Sequence, residues 1–509
     1  LTPSPDSANL RHDAVPDRAA QTNQEQAYMQ PTAAKTAGQM IVAYFRDFGV
    51  LRETRREYWG IQIVNFLDCT FYFAMLTIAT VFLSEDLGLN DKHAGYSVAI
   101  FTSATTLMLL VSGLYTDWLG IRKSLYFSLA AMWVLRLAMV GIALLPHLPY
   151  RGIWASVLFL LMAPFMAAIQ TIFQASCQRF TTRRSRSAGF NLWYLFMNVG
   201  AAAGGFMVDV VRLRLGLPNF HIFTLGVITA ALCLLVGFLM VGREEQLVSP
   251  DEPPETQANE GRVERKPPLQ LLRDVVREPA IWRLLVLIAL ILGVRAVYAY
   301  LYLLMPKYWL RTIGPDAAIG VLNTINPIGI VIGLILFIPI TNKFNVFSML
   351  IYGAMISALA LFPMALPWQT YGSSIAAAHY TMAVLCMVIV TVGEVIWSPK
   401  LNEYTAAIAP KGQEGTYYGL SLIPWFVAKT LVGLISGHML EYWSPETVVV
   451  NGVSLPLQQA MIQGQVPYWH SPAAMWLVLG IWAFVGCLAA MLIRSWLTQG
   501  ARWKVEPPR

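Results

Sequence analysis

Five ionisable side chains, Asp68, Arg136, Arg295, Glu394 and Lys429, stand inside stretches that are otherwise apolar. A charge facing lipid costs about 2.5 to 3.5 kcal/mol or more, so each must turn toward a watery cavity or toward another of the five. The chemistry open to such a set is ionic capture of a solute and movement of protons. Glu394, in the stretch VGEVIWSPK at 392–400, can bind an amine or carry a proton, and a carboxylate of the same solute can fall to Arg295 or Lys429. Those two cations can equally neutralise Glu394 or Asp68. Protonation of Asp68 or Glu394 would alter which ion pairs hold the surrounding helices together. Arg136 reads better as a structural ion or hydrogen-bond partner.

Helical spacing gathers polar and aromatic residues around these charges. Asn65, Asp68 and Tyr72 follow i, i+3, i+7; Gln170 and Gln174 follow i, i+4; Asn191, Tyr194 and Asn198 repeat i, i+3, i+7. Further along, Arg295, Tyr298 and Tyr302 share a face, as do Asn323 and Asn326, Glu394 and Trp397, and Trp425 and Lys429. Read as function, this gives a solute-binding set of Glu394, Arg295, Lys429, Tyr72, Asn198, Asn326, Tyr298, Trp397, Trp425 and Gln170, with Asp68 and Glu394 as the proton-coupling acids. Read without function, each Asn or Gln bonds helix to helix and each aromatic ring packs.

The elements that must position them are membrane helices. Over 509 residues, 56% are hydrophobic and only 13% charged, which excludes an ordinary soluble enzyme. Apolar runs of about 20 residues, each long enough to cross roughly 30 Å of hydrocarbon, recur along nearly the whole chain. The expected fold is all-α and polytopic, with twelve spans at 60–83, 94–116, 122–145, 152–177, 187–210, 220–242, 280–304, 317–340, 346–365, 379–399, 416–437 and 473–494. A charged, Pro-rich linker at 243–278 divides them into six-helix bundles at 59–242 and 279–495, with a polar tail and interfacial segment at 1–58 and a second tail at 496–509. No signal-peptide pattern opens the chain, so the first span is expected to direct insertion. The net charge of +7 matters through its placement. Lys and Arg cluster before the first span, after the second and fourth, in the linker and at the end, which puts both termini in the cytoplasm; Arg212, Arg214, Lys307 and Arg311 are exceptions in the opposite loops.

The halves echo each other weakly. SGLYTDWLGIRKSL joins the second and third spans, and PITNKFNVFSML joins the eighth and ninth, with Asn342 in the place of Asp117 and Asn345 in that of Gly120. Gly113, Asp117, Gly120, Arg122 and Lys123 resemble the signature loop of the major facilitator superfamily, at the matching junction. Gly113 would permit close helix contact, Asp117 would pair with a base or helix N-terminus, and Gly120 would make the tight turn. The basic pair also fits a plain topological role. The resemblance implies two bundles rocking about a central site, a conformational gate at this loop, and peripheral third, sixth, ninth and twelfth spans.

A closer resemblance runs through GEVIWSPKLNEYTAAIAPKGQEGTYYGLSLIPWF, by way of Glu394, Ser398, Pro399, Ala409, Pro410 and Gly419, to the proton-dependent oligopeptide transporter family. Asn326 and Pro327 in the eighth span, and Tyr194, Asn198 and Gly200 in the fifth, resemble it too. It implies that Glu394 meets a peptide's amino terminus. The departures fall on the family's charged residues. Where its first span carries Glu-x-x-Glu-Arg, this sequence has Asn65, Asp68 and Cys69 before a retained Tyr72, and where its fourth span has Ile-Lys, this sequence has Ile169 and Gln170. One acid survives, shortened to Asp68, without its cationic partners.

The expected function is therefore secondary active transport, namely proton-coupled uptake of small peptides or peptide-like solutes by a monomer in the cell membrane. A facilitator for another solute such as an organic anion or drug, or a receptor on the same fold, are the competing readings. No HExxH pair, phosphate-cradling GK[ST] loop or CxxC spacing appears, so no enzyme, metal or other cofactor and no nucleic acid is implied, and the five cysteines read as free thiols.

Overall fold

The computed structural model describes Val42, Arg46 and residues 48–182, 185–242, 278–341, 344–408 and 423–501. The expectations for the N-terminal tail, most of the linker, Asn342, Ala409, Pro410, Gly419 and the tail beyond 501 lie outside these residues. A 3-10 turn at Phe48–Glu53 precedes the first long helix, with Arg55 extended between them, so the interfacial segment is not one continuous helix.

In the first half, α1 is Arg56–Val81, α2 Asp91–Leu119, α3 Ile121–Leu144, α4 Arg151–Arg179, α5 Arg186–Asp209 and α6 His221–Met240. Both α1 and α5 run on through a π-helical turn, Phe82–Asp86 and Val210–Arg214. In the second half, α7 is Pro279–Leu290, α8 Leu292–Leu303, α9 Met305–Thr312, α10 Ile319–Thr341, α11 Val346–Leu359, α12 Ile375–Ile408, α13 Ile423–Trp443 and α14 Pro472–Leu492. Each expected apolar segment is thus largely helical over its described residues. Among the described residues, nine helices are long and apolar enough to cross a membrane, and ten spans result if the bent pair α7 and α8 counts as one. Helices α2 and α13 are not among them, so length and hydropathy alone do not reach the expected twelve.

The seventh span departs from the expectation of one straight helix, bending by 50° at Ile291. No proline causes this. Two residues on, Gly293 presses so closely on α14 that a Cβ there would sit 2.6 Å from the Cα of Ala483. A second addition is the hairpin β1 Thr447–Val450 and β2 Val453–Pro456, turned by Asn451 and Gly452 with φ of 51° and 81°.

Helix α1 sits at the centre of its group, with 83% of its apolar stretch buried against 28% in α3 and 39% in α6. It packs on α5, where a Cβ on Gly204 would lie 2.4 Å from the Thr70 carbonyl oxygen, which is why only glycine fits. In the second group α14 is peripheral at 39%, whereas the stretch through α11 is half buried, as much as α12. The two groups meet through α2 against α13 and α5 against α10. All five cysteines are free and buried.

Helix starts and turns follow local chemistry. Asn90 caps α2 by accepting from the His93 amide at 2.8 Å, and Asn345 caps α11 through Ser348 at 3.1 Å. Between α2 and α3 the chain reverses at Gly120, whose φ of 81° suits glycine.

Candidate functional site

A cavity of about 440 Å³ lies between the two groups of helices, within the size range of small-molecule sites. Helix α1 contributes Tyr72, α4 Gln170, α5 Tyr194 and Asn198, α8 Arg295, Tyr298 and Tyr302, α10 Asn326, α12 Glu394, and α13 Trp425 and Lys429. Nine of the ten residues proposed from sequence to bind solute line it; Trp397 does not.

Trp397 stands behind the wall instead. Its indole N–H donates to the Tyr298 hydroxyl at 3.1 Å and the Ser357 hydroxyl at 3.2 Å, and its ring forms one side of a clamp. The Arg295 guanidinium carbon lies 4.4 Å from the ring centroids of both Trp397 and Trp425. A guanidinium between two indoles gains cation–π attraction on both faces while its N–H edge stays available to a planar anion. Arg295 is 5% exposed and its Nε has no described partner. Lys429 Nζ lies 5.6 Å from the Trp425 centroid.

Glu394 accepts a 2.9 Å hydrogen bond from the Asn326 side chain, which also donates to Thr391 Oγ1 at 3.1 Å. The two donations fix the amide's orientation. Among the described residues Glu394 has no ion-pair partner, although Arg295 is close enough to act on it through space. The Asn198 side chain donates back to the Tyr194 carbonyl at 2.8 Å.

Asp68 is placed elsewhere. It does not line the cavity but pairs with Arg136 of α3 at 2.6 Å, both essentially unexposed. Arg136 also donates to the Gly226 carbonyl at 3.1 Å and stacks on Phe71 at 3.9 Å. Asn65 likewise turns inward, donating to the Trp193 carbonyl at 3.0 Å. Because α1 is buried on nearly every side, a polar residue one turn from Tyr72 can face the interior of its own group rather than the cavity. Asn323 donates to Thr77 across the groups at 3.3 Å, and Asn191 is exposed.

Sequence reasoning missed the contacts between the groups. At the end of the molecule away from the start of α1 and the end of α14, hereafter the distal end, Asp91 at the start of α2 pairs with both Lys307 and Arg311 of α9. Asp209 accepts from the Gly320 and Val321 amides at 3.0 and 2.7 Å, capping the start of α10, and Arg212 donates to the Ala317 and Pro315 carbonyls. Tyr96 bonds His438 at 2.8 Å and Lys92 pairs with Glu441. The one available signal was that Arg212, Lys307 and Arg311 broke the charge rule of their loops.

The proposed gate at the α2–α3 junction behaves differently. No described atom lies within 4 Å of a Cβ built on Gly113. The Asp117 side chain lies outside the described residues. Arg122 stacks over Tyr126 of its own helix at 5.5 Å, and Lys123 is exposed.

The Major Facilitator Superfamily profile matches residues 58–433. No curated protein matches the sequence. Solved structures with a similar fold include a mutant peptide transporter POT in complex with sulfate, 15% identical with a TM-score of 0.67 over 88% of this chain and 96% of that one. A POT family transporter in complex with 5-aminolevulinic acid is 14% identical, with a TM-score of 0.65 over 87% and 97% of the two chains. An auto-inhibited POT family peptide transporter is 14% identical, with a TM-score of 0.63 over 86% and 97%. At such identities the likeness is one of fold. The superfamily profile, covering most of the helical chain and both walls of the cavity up to Lys429, identifies this multi-pass membrane protein as a member of the Major Facilitator Superfamily, a transporter and not an enzyme.

Proposed function

We propose that the protein takes up small peptides or peptide-like solutes by proton-coupled alternating access, as a monomer in the cell membrane with its termini in the cytoplasm. The observation that carries the reading is the set of Glu394, Arg295 and Lys429 on one cavity, an acid and two cations without ion-pair partners among the described residues. Such groups are complementary to a solute carrying both an ammonium and a carboxylate. Aromatic and neutral polar residues supply the rest of the lining, as a site that accepts varied side chains needs.

The described hydrogen bonds and ion pairs between the helix groups lie in the distal half, which fits a conformation closed on that side. Alternating access then requires these contacts to break as others form at the opposite end. Asp68 spends its charge on Arg136 away from the cavity, so the coupling role falls to Glu394 alone.

A reconstituted-vesicle assay tests the proposal. With an imposed inward proton gradient, a labelled dipeptide is expected to accumulate above its external concentration, and Glu394→Gln is expected to abolish accumulation. Accumulation by the variant equal to that of the wild type would overturn the coupling role. A second reading, an organic-anion carrier, is favoured by the excess of two cations over one acid, and competition by amine-free anions but not by peptides would establish it.

A further inference from the structure

The cavity's two walls differ in a way that constrains the solute further. Every described lining residue from the first group of helices is uncharged; that wall is built from groups such as Tyr72, Thr102, Thr106, Gln170, Tyr194 and Asn198. The charged lining residues, Arg295, Glu394 and Lys429, all belong to the second group. The division has a local cause: the acid of α1 that might have faced the cavity, Asp68, is consumed by Arg136.

On the charged wall the balance is one carboxylate against two cations. Asn326 holds Glu394 by a hydrogen bond without neutralising it. Arg295 is held by two indoles and Lys429 by contact with one, again without neutralisation. Ions withdrawn from bulk water favour a ligand that supplies the missing counter-charges, and a simple dipeptide zwitterion would leave one cation unmatched.

We infer that the preferred solute carries one ammonium and two anionic groups, all presented to the second-group wall, with its uncharged part against the first: an acidic peptide-like compound, the ammonium on Glu394 and the two anions on Arg295 and Lys429. This rests on the peptide reading above and narrows it. Arg295, with its planar edge, suits a carboxylate taken bidentately, and Lys429, a compact point charge, suits the second anion.

Binding of alanyl-glutamate, alanyl-glutamine and alanyl-lysine to the purified wild-type protein tests this, because the first two differ by little more than a charge. Alanyl-glutamate is expected to bind at least about tenfold more tightly than alanyl-glutamine, with alanyl-lysine weakest. Lys429→Gln is expected to bring the acidic peptide to the affinity of the neutral one, and Lys429→Arg to restore the difference. Equal affinities for the acidic and neutral peptides in the wild type would overturn this inference while leaving peptide transport standing. Failure of all three to bind would overturn the peptide reading, and this inference with it.

Discussion

Asp91→Asn is the sharpest test of the distal contact. Asp91 is held between Lys307 and Arg311, the latter at 2.5 Å, with the two cationic side chains only 4% and 10% exposed and the carboxylate 21% exposed. Breaking a fully buried pair costs about 3 to 5 kcal/mol because a charge is left without its partner. Two features reduce the figure here: the carboxylate touches solvent, and Arg311 keeps its 2.7 Å bond to the Ser444 carbonyl. A loss of about 2 kcal/mol remains, which shifts the ratio of distal-closed to distal-open molecules about 30-fold toward open. Spin labels on cysteines placed at the exposed positions Leu217 and Thr447, at the distal ends of the two helix groups, would report this, since all five native cysteines are buried. The variant is expected to populate longer distances. A distance distribution identical to that of the parent would refute the reasoning, and a fall in thermal stability without a distance change would show that the cluster only stiffens the fold. The pH dependence has a definite sign. Burial pushes the Asp91 carboxyl up, but Arg311 and Lys307 together outweigh it and hold the group below its ordinary value of 3.8. Its contribution is therefore present above the ordinary value and lost only as pH falls through the lowered one, so acidification from about pH 8 to about pH 5 should leave the difference in distance between the parent and Asp91→Asn unchanged.

Asp68→Asn should destabilise the protein by about 3 to 5 kcal/mol by stranding Arg136, seen as a lower unfolding temperature, and Arg136→Met in the same chain should recover most of it. Gly320→Ala should disfavour the closed distal end, because its Cβ would lie 2.0 Å from the Gly205 carbonyl oxygen; the same spin-label pair should move apart. Gln170→Lys would place a cation on the neutral wall and should reduce the difference in affinity between alanyl-glutamate and alanyl-glutamine at least severalfold, by offering a peptide carboxylate a second place to bind.

What the sequence made legible was whatever depends on a run or a period. Apolar runs located the helices because nothing else buries so many backbone amides in lipid. Periodicity brought Tyr72, Gln170, Asn198, Arg295, Asn326, Glu394 and Lys429 to one cavity, although the same spacing grouped Asn65, Asp68 and Asn191 with them and these three face elsewhere. What stayed hidden depends on partners far apart in the chain. Asp68 and Arg136 are separated by 68 residues, and nothing in either helix says that they meet. Trp397 shares a face with Glu394 by spacing, yet a bulky ring one turn on reaches past the lining to the back of Arg295. The bend at Ile291 carries no proline, and the close approach of Gly293, two residues on, to Ala483 of α14 shows only in the fold.

The loop cations that violate the charge rule join these cases. Lys307 and Arg311 would disfavour their side of the membrane if they were free charges. Bound to Asp91 they form part of a compact cluster in which their charge is partly matched. The same principle governs the cavity. Arg136 removes Asp68 from the chemistry by neutralising it, whereas Arg295 and Lys429 remain chemically available because aromatic faces hold them without neutralising them. On the function proposed here, which intramembrane charges serve stability and which serve binding is decided less by the charges than by what lies against them: a carboxylate consumes a cation, and an indole keeps it ready for an anion.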